Sequence, residues 1–306
     1  MIPEAQKQQM AEAVAKIRET MAAAAKAAGR DPAEVRLCAA CKTRTVEEVR
    51  YSADLPIDLF GENHVQELVE KTDANAYNGK PGHFIGHLQT NKVNKVVGRA
   101  ALIQSVDSTR LLDKIDAAAA RLGLVQDILV EINIGEEASK SGVDADSLFP
   151  LLEAAAAREH IRLRGLMAIP PADADDTETR RFFAQMRELL ARADARHYDR
   201  AQMDILSMGM SHDYTAAIAE GATIVRVGTA IYGARDYSKR HNFRLPPRGK
   251  LSAKRTDEGK ASAATRSRDF AADSLLIRPF GPPSPSGEGF FIFSPCIPAA
   301  SSRTAF

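Results

Sequence analysis

ALIQSVDSTRLLDKIDAAAARLGLVQDILVEINI, residues 101–134, holds two short apolar runs around one helix-like stretch. The runs, ALIQSVD (101–107) and DILVEINI (127–134), are near-continuous in apolar residues rather than alternating. That is the pattern of a strand covered on both faces. Between them, Ser108–Leu122 is rich in Ala, Leu, Lys and Arg. Working outward, the same unit recurs. VRLCAAC (35–41), DLFGEN (58–63) and HFIGHL (83–88) precede it, and IRLRGLMAI (161–169), ILSMGM (205–210) and TIVRVG (223–228) follow. Helix-like stretches at Ala145–Arg158, Thr177–Ala193 and Ser211–Glu220 separate the later runs. A long amphipathic helix, Pro3 to Ala28, comes first and stops at Gly29 and Asp31-Pro32. Eight strands alternating with helices fit a parallel (β/α)8 barrel, which typically takes about 250 residues. A doubly wound open sheet is the competing architecture. The even spacing of eight units and the missing G-x-G-x-x-G favour the barrel.

Composition narrows the class. With 44% hydrophobic and 26% charged residues the chain is an ordinary globular one. It carries no apolar run of about 18 residues, so no transmembrane helix is expected. The start, MIPEAQKQQMAEAVAKIRE, lacks the apolar centre of a signal peptide. Three Cys cannot make a disulfide framework, which points to a reducing, cytoplasmic compartment. The net charge of +1, from 41 Lys+Arg and 40 Asp+Glu, hides a split. Residues 238–306 hold 12 basic and five acidic residues and eight of the 15 Pro, leaving residues 1–237 with 29 basic against 35 acidic. Pro/Ser/Arg-rich stretches such as GPPSPSGEG bury too little apolar surface to offset their ordering entropy. Two units are therefore expected, a barrel over 1–237 and a disordered tail over 238–306. A basic arm for nucleic acid or acidic membranes is the alternative for the tail, and no clustered Lys/Arg or aromatic pattern supports it.

Chemistry is expected at the C-terminal ends of the strands, where barrels of this type build their sites. Reading those ends gives Lys42, Asn63, His87 and Gln89, Asp107, Asn133, Met167, Ser207–Ser211 and Arg226–Thr229. A Lys ending a buried strand is partly desolvated, which lowers its pKa and suits Schiff-base chemistry with an aldehyde. Snorkelling of Lys42 to solvent is the plain alternative. SMGMS (207–211) and the Gly228-Thr229 step fall after strands seven and eight, where such barrels often bind phosphate. The plain alternatives are a turn relieved by Gly228 and an N-cap at Ser211. Cys38-Ala-Ala-Cys41 resembles a C-x-x-C motif, but residues three apart on a strand face opposite ways. It reads as two core thiols. His83 and His87 share a face only if both lie on strand three, and no third ligand is near, so no metal is expected.

At these residues a family resemblance becomes specific. AACKTRTVEEV (39–49), FGENHVQEL (60–68), HFIGHLQTNKV (83–93), VEINIGEEASKSGV (130–143), LRGLMAIP (163–170) and LSMGMSHDYTAAIAEGATIVRVGTAIYGARDY (206–237) resemble the pyridoxal phosphate homeostasis protein family, the YggS/PROSC-like group. The resemblance covers nearly all of residues 1–237. It implies an alanine-racemase-like, fold-type III barrel. It implies pyridoxal 5′-phosphate (PLP) held as a Schiff base on Lys42, an N6-pyridoxal phosphate lysine. VRVGTAIYG (225–233) resembles the racemase's last-strand motif, and by that match Arg226 faces the pyridine nitrogen, while Gly228, Thr229, Ser211 and, as a second candidate, Ser207 bind phosphate. Asn63 lines the pocket beside the ring, and His83 is a supporting group. Cys41 stands where a small Ser is common in relatives.

The implied role is intracellular PLP (vitamin B6) homeostasis: binding, buffering and delivering the cofactor, with effects on amino-acid metabolism and no established catalysis. An Arg at the ring nitrogen makes a weak electron sink. The resemblance also implies a monomer with no counterpart to the racemase's second domain, contacting apo PLP enzymes transiently and neither nucleic acid nor membrane. Two other readings stay open. One is a small amino-acid racemase or other PLP-dependent enzyme using Lys42. The other is a phosphate-ligand regulator that forms no Schiff base.

Overall fold

The computed structural model describes residues 2–137 and 141–234. The tail expected over 238–306 lies outside them. Eight strands close into one all-parallel barrel in sequence order. They are β1 (Arg36–Ala40), β2 (Leu59–Glu62), β3 (Gly82–Phe84), β4 (Leu102–Val106), β5 (Gln126–Ile132), β6 (Ile161–Ala168), β7 (Ala201–Ser207) and β8 (Ile224–Val227). The closing pair is β1 with β8, in register from Arg36 opposite Ile224 to Ala39 opposite Val227. The expected barrel is therefore observed, in place of the open sheet.

Helices cover the outside: α1 (Glu4–Ala27), α2 (Val46–Ser52), α3 (Val65–Asp73), α4 (Val93–Val96), α5 (Thr109–Leu122), α6 (Ala145–Ala156), α7 (Asp176–Asp194), α8 (Tyr214–Ala219) and α9 (Thr229–Tyr232). Local sequence sets their limits. Ser108 caps α5 by accepting from the Leu111 amide at 3.3 Å, and Gly123 ends it with a left-handed φ of 64°. Thr45 and Glu48 form a reciprocal capping box at the start of α2. On α1, Met10, Val14, Ile17, Met21 and Ala25 recur at three- and four-residue steps and are buried. That stripe packs α1 against α8 and α9.

Period-two alternation separates two cores. Leu37, Ala39, Phe60, Phe84, Ile103, Val130, Leu166, Leu206 and Val225 face outward under the helices. Cys38, Leu59, Leu102, Leu129, Met167, Ile205 and Ile224 fill the barrel interior. Two residues beyond four of these interior positions, toward the strand C-termini, the inward side chains become Gln104, Glu131, Ser207 and Arg226, all buried. The apolar plug thus ends at a polar layer beneath the C-terminal mouth. At the opposite end a cavity of about 410 Å³ is lined by Glu34, Arg36, Arg164, Asp204 and Thr223. There Arg164 bridges Asp127 at 2.9 Å and Asp204 at 2.8 Å.

Candidate functional site

The polar layer is one directed chain of hydrogen bonds. Arg226, on β8, is 4% exposed. Its Nη1 donates to Ser207 Oγ at 2.7 Å and its Nη2 to the Ala168 carbonyl at 2.9 Å. Ser207 in turn donates to Gln104 Oε1 at 2.6 Å, and Gln104 Nε2 lies 2.9 Å from His83 Nδ1. The guanidinium has no acceptor, so every proton in the chain points away from it. His83 Nδ1 is then the acceptor, which puts the imidazole proton on Nε2. Burial, with Arg36 adding to it, pushes the His83 pKa down to about 3, so the ring is neutral. Burial also lowers the Arg226 pKa from its ordinary value.

Around this layer the strand ends bring the other expected residues to the same mouth. Lys42 follows β1 and is half-buried. Asn63 follows β2, and its Oδ1 is buried without a hydrogen-bond partner among the described residues. Ser211 Oγ accepts from the Gly228 and Ala230 amides, both at 3.4 Å. Those bonds are longer than the usual 2.9–3.0 Å for N–H···O. Gly228 is pressed against the end of β1, since a Cβ there would sit 2.9 Å from the Ala40 carbonyl oxygen. Thr229 opens α9 and is exposed.

Several expectations need correction. Helix α8 starts at Tyr214 with Asp213 at its N-cap, so Ser211 is no cap. Its hydroxyl faces the β8 end instead. Strand β3 stops at Phe84, so His83 and His87 do not share a strand. His83 is buried in the interior chain, while His87 lies outside it, with Asp107 at 3.5 Å and Ser141 at 3.1 Å. Asn133 is used locally: its Nδ2 donates to the Glu137 carbonyl at 2.9 Å and its Oδ1 accepts from the Glu137 amide at 3.1 Å. Cys38 and Cys41 are both free and buried, one inside the barrel and one outside it. Among the described residues no cluster of His, Cys, Asp or Glu suits a metal. No described helix is long and apolar enough to cross a membrane.

Two site residues escaped the sequence reading. Gln104 links Ser207 to His83, and Glu131 stands as the buried carboxylate of the layer. Their signal was parity: each is a polar residue at an inward position, two after Leu102 and Leu129. Burial, assisted by Asp107 and opposed by Arg226, pushes the Glu131 pKa up from 4.5 to about 7. A carboxyl whose folded pKa is raised stabilises the fold below its unfolded pKa and loses that contribution as pH rises through the folded value. Glu131→Gln removes this titration. Relative to the variant, the wild type should lose about 3 kcal/mol between pH 4.5 and pH 8. Urea unfolding across that range checks it, and parallel profiles would contradict it.

The chain matches the family described as alanine racemase, N-terminal domain, over residues 11–236. A pyridoxal phosphate homeostasis protein of Aquifex aeolicus is 38% identical over 226 residues, covering 74% of this chain and 98% of that protein. One from Pseudomonas aeruginosa is 40% identical over 228 residues, covering 74% and 96%. The chain belongs to the pyridoxal phosphate homeostasis protein family. PipY of Synechococcus elongatus, whose solved structure has PLP bound, is 32% identical with a TM-score of 0.64 and covers 73% of this chain and 100% of that one. The alanine racemase N-terminal domain match falls on the barrel, and residues after 236 lie outside that match.

Proposed function

We propose that this chain binds PLP at the C-terminal mouth of its barrel and serves as a carrier of the cofactor, without catalysing a reaction of its own. When bound, the cofactor supplies an aldehyde that an amine captures reversibly and a ring whose electron demand depends on its nitrogen's protonation. Lys42 would take the aldehyde. Ser211, Gly228 and Thr229 would hold the phosphate, Asn63 would meet the ring with its orphaned Oδ1, and Ser207 would act by holding Arg226. These residues fit the group: the mouth offers an unpaired acceptor and two backbone amides that the Ser211 hydroxyl satisfies only at long range.

One observation carries the carrier reading. Arg226 is fixed by Ser207 and Ala168 and offers only donors, so it favours an unprotonated ring nitrogen and leaves the ring a weak electron sink. Nor are two of the described tyrosines poised for proton abstraction. Tyr77 and Tyr232 are buried, with pKa values pushed up by burial. We infer a monomer, working in the cytoplasm, that passes PLP to apo-enzymes by transient contact.

Purified protein mixed with PLP should develop an absorbance band that borohydride removes, and should not racemise proteinogenic amino acids faster than free PLP does. Racemisation above that rate identifies an enzyme instead. Tight binding with no reducible band identifies a phosphate-ligand regulator.

A further inference from the structure

Lys42 lies in a tight turn whose anchors come from one helix. The Arg44 amide donates to the Cys41 carbonyl at 3.1 Å, placing Lys42 and Thr43 at the two central positions. Thr43 has a φ of 66°. A positive φ at that position belongs to type II turns, where Gly or Asn is usual and a β-branched residue is an outlier. Something must hold it there.

Helix α3 supplies two side chains one turn apart. Lys71 Nζ donates to the Cys41 carbonyl at 2.7 Å, immediately before Lys42. Glu67 Oε2 accepts from the Thr43 amide at 2.9 Å, immediately after it. The two lie 3.7 Å apart, as i, i+4 partners on one helix face. Lys71 also donates to Glu62 Oε1 at 2.6 Å, so it ties the residue before Lys42 to the residue before Asn63.

We propose that Glu67 and Lys71 form a backbone clasp on α3 that grips the chain on both sides of Lys42 and fixes where its amine can meet the cofactor. Both are positioning residues, since neither needs to touch the cofactor. The clasp rests on the proposed role of Lys42. It adds a physical reason for a strained turn at that point: the strain is offset by two charged partners, and loss of either frees the lysine to swing away.

Glu67 gives the cleaner test, because it is partly exposed, whereas Lys71 is 1% exposed and paired to a buried carboxylate. Wild type, Glu67→Ala and Glu67→Gln are loaded with PLP. Its release is followed by absorbance with excess acceptor amine, alongside the pH midpoint of the band. Unloaded proteins are melted in parallel, and amide exchange at Thr43 is measured. Glu67→Ala should release PLP about tenfold faster, equivalent to about 1.4 kcal/mol. Its band midpoint should shift, its Thr43 amide should exchange faster, and its unloaded Tm should stay within about 3 °C of wild type. Glu67→Gln, whose amide oxygen can still accept from Thr43, should recover most of the difference. Release within twofold of wild type, or faster release matched by a proportionate fall in unloaded Tm, overturns the clasp. A wild type that takes up no PLP overturns the cofactor reading itself.

Discussion

Lys71→Met should cost about 3–5 kcal/mol of folding stability near pH 8, the usual penalty for removing one partner of a buried ion pair. Typical domains have about 5–15 kcal/mol in total, so this variant should lose a large share of its stability. Glu62 and Lys71 are both essentially buried, and their pair sits outside the barrel wall beneath α3. Glu62 Oε1 also accepts from the Cys41 thiol at 2.9 Å, while Oε2 has no partner among the described residues. Burial pushes the Glu62 pKa up to about 7, with Lys71 the main force holding it down. Burial works against the Lys71 ammonium too, but Cys41 and Glu62 more than offset it, so its pKa lies above the ordinary lysine value.

Without Lys71 the carboxyl goes further up and folds protonated. A raised carboxyl favours the fold at low pH and loses that contribution as pH rises through its folded pKa. The Lys71→Met deficit should therefore be small at pH 5 and large at pH 8. Glu62→Gln with Lys71→Met removes the stranded charge and should regain most of the loss. Urea unfolding at both pH values measures this. A deficit under about 1 kcal/mol at pH 8, or a double variant no better than the single one, would contradict the pair's role.

Lys42→Ala should cost the protein its reducible absorbance band and weaken PLP binding by at least about a hundredfold, or about 2.8 kcal/mol. Only non-covalent contacts then remain, each worth about 0.5–1.5 kcal/mol. The fold should be little affected, because the clasp on Cys41 and Thr43 acts on backbone atoms that alanine keeps. Equilibrium titration and thermal melting separate the two effects. A variant that binds PLP as tightly as wild type and still shows the band would remove Lys42 from its proposed role.

How far the sequence could be read depended on what each residue faces. Strands covered on both faces leave unbroken apolar runs, so β1, β4, β5 and β6 were legible to within two residues. The apolar run ILSMGM begins later than β7 does, because the strand's start, Ala201–Asp204, carries the exposed Gln202 and Asp204 at the barrel's lower edge. HFIGHL runs past the end of β3, because the chain leaves the sheet near Gly86, where a Cβ would meet the Asn63 carbonyl oxygen at 2.3 Å. Lys42, Asn63, Ser211 and Gly228 were legible as strand-end residues, a property of position. The α3 clasp was not: Glu67 and Lys71 stand four residues apart, the spacing of any surface i, i+4 pair. The burial of Lys71 and the backbone partners of both are set by the turn after β1, which no local pattern announces.

Mapping the covalent link tests the central claim most directly. The wild-type protein is loaded with PLP, reduced with borohydride, digested and analysed by mass spectrometry. The account predicts one dominant phosphopyridoxyl label, on Lys42. A label chiefly on another lysine, or none on a protein that binds PLP, would contradict it.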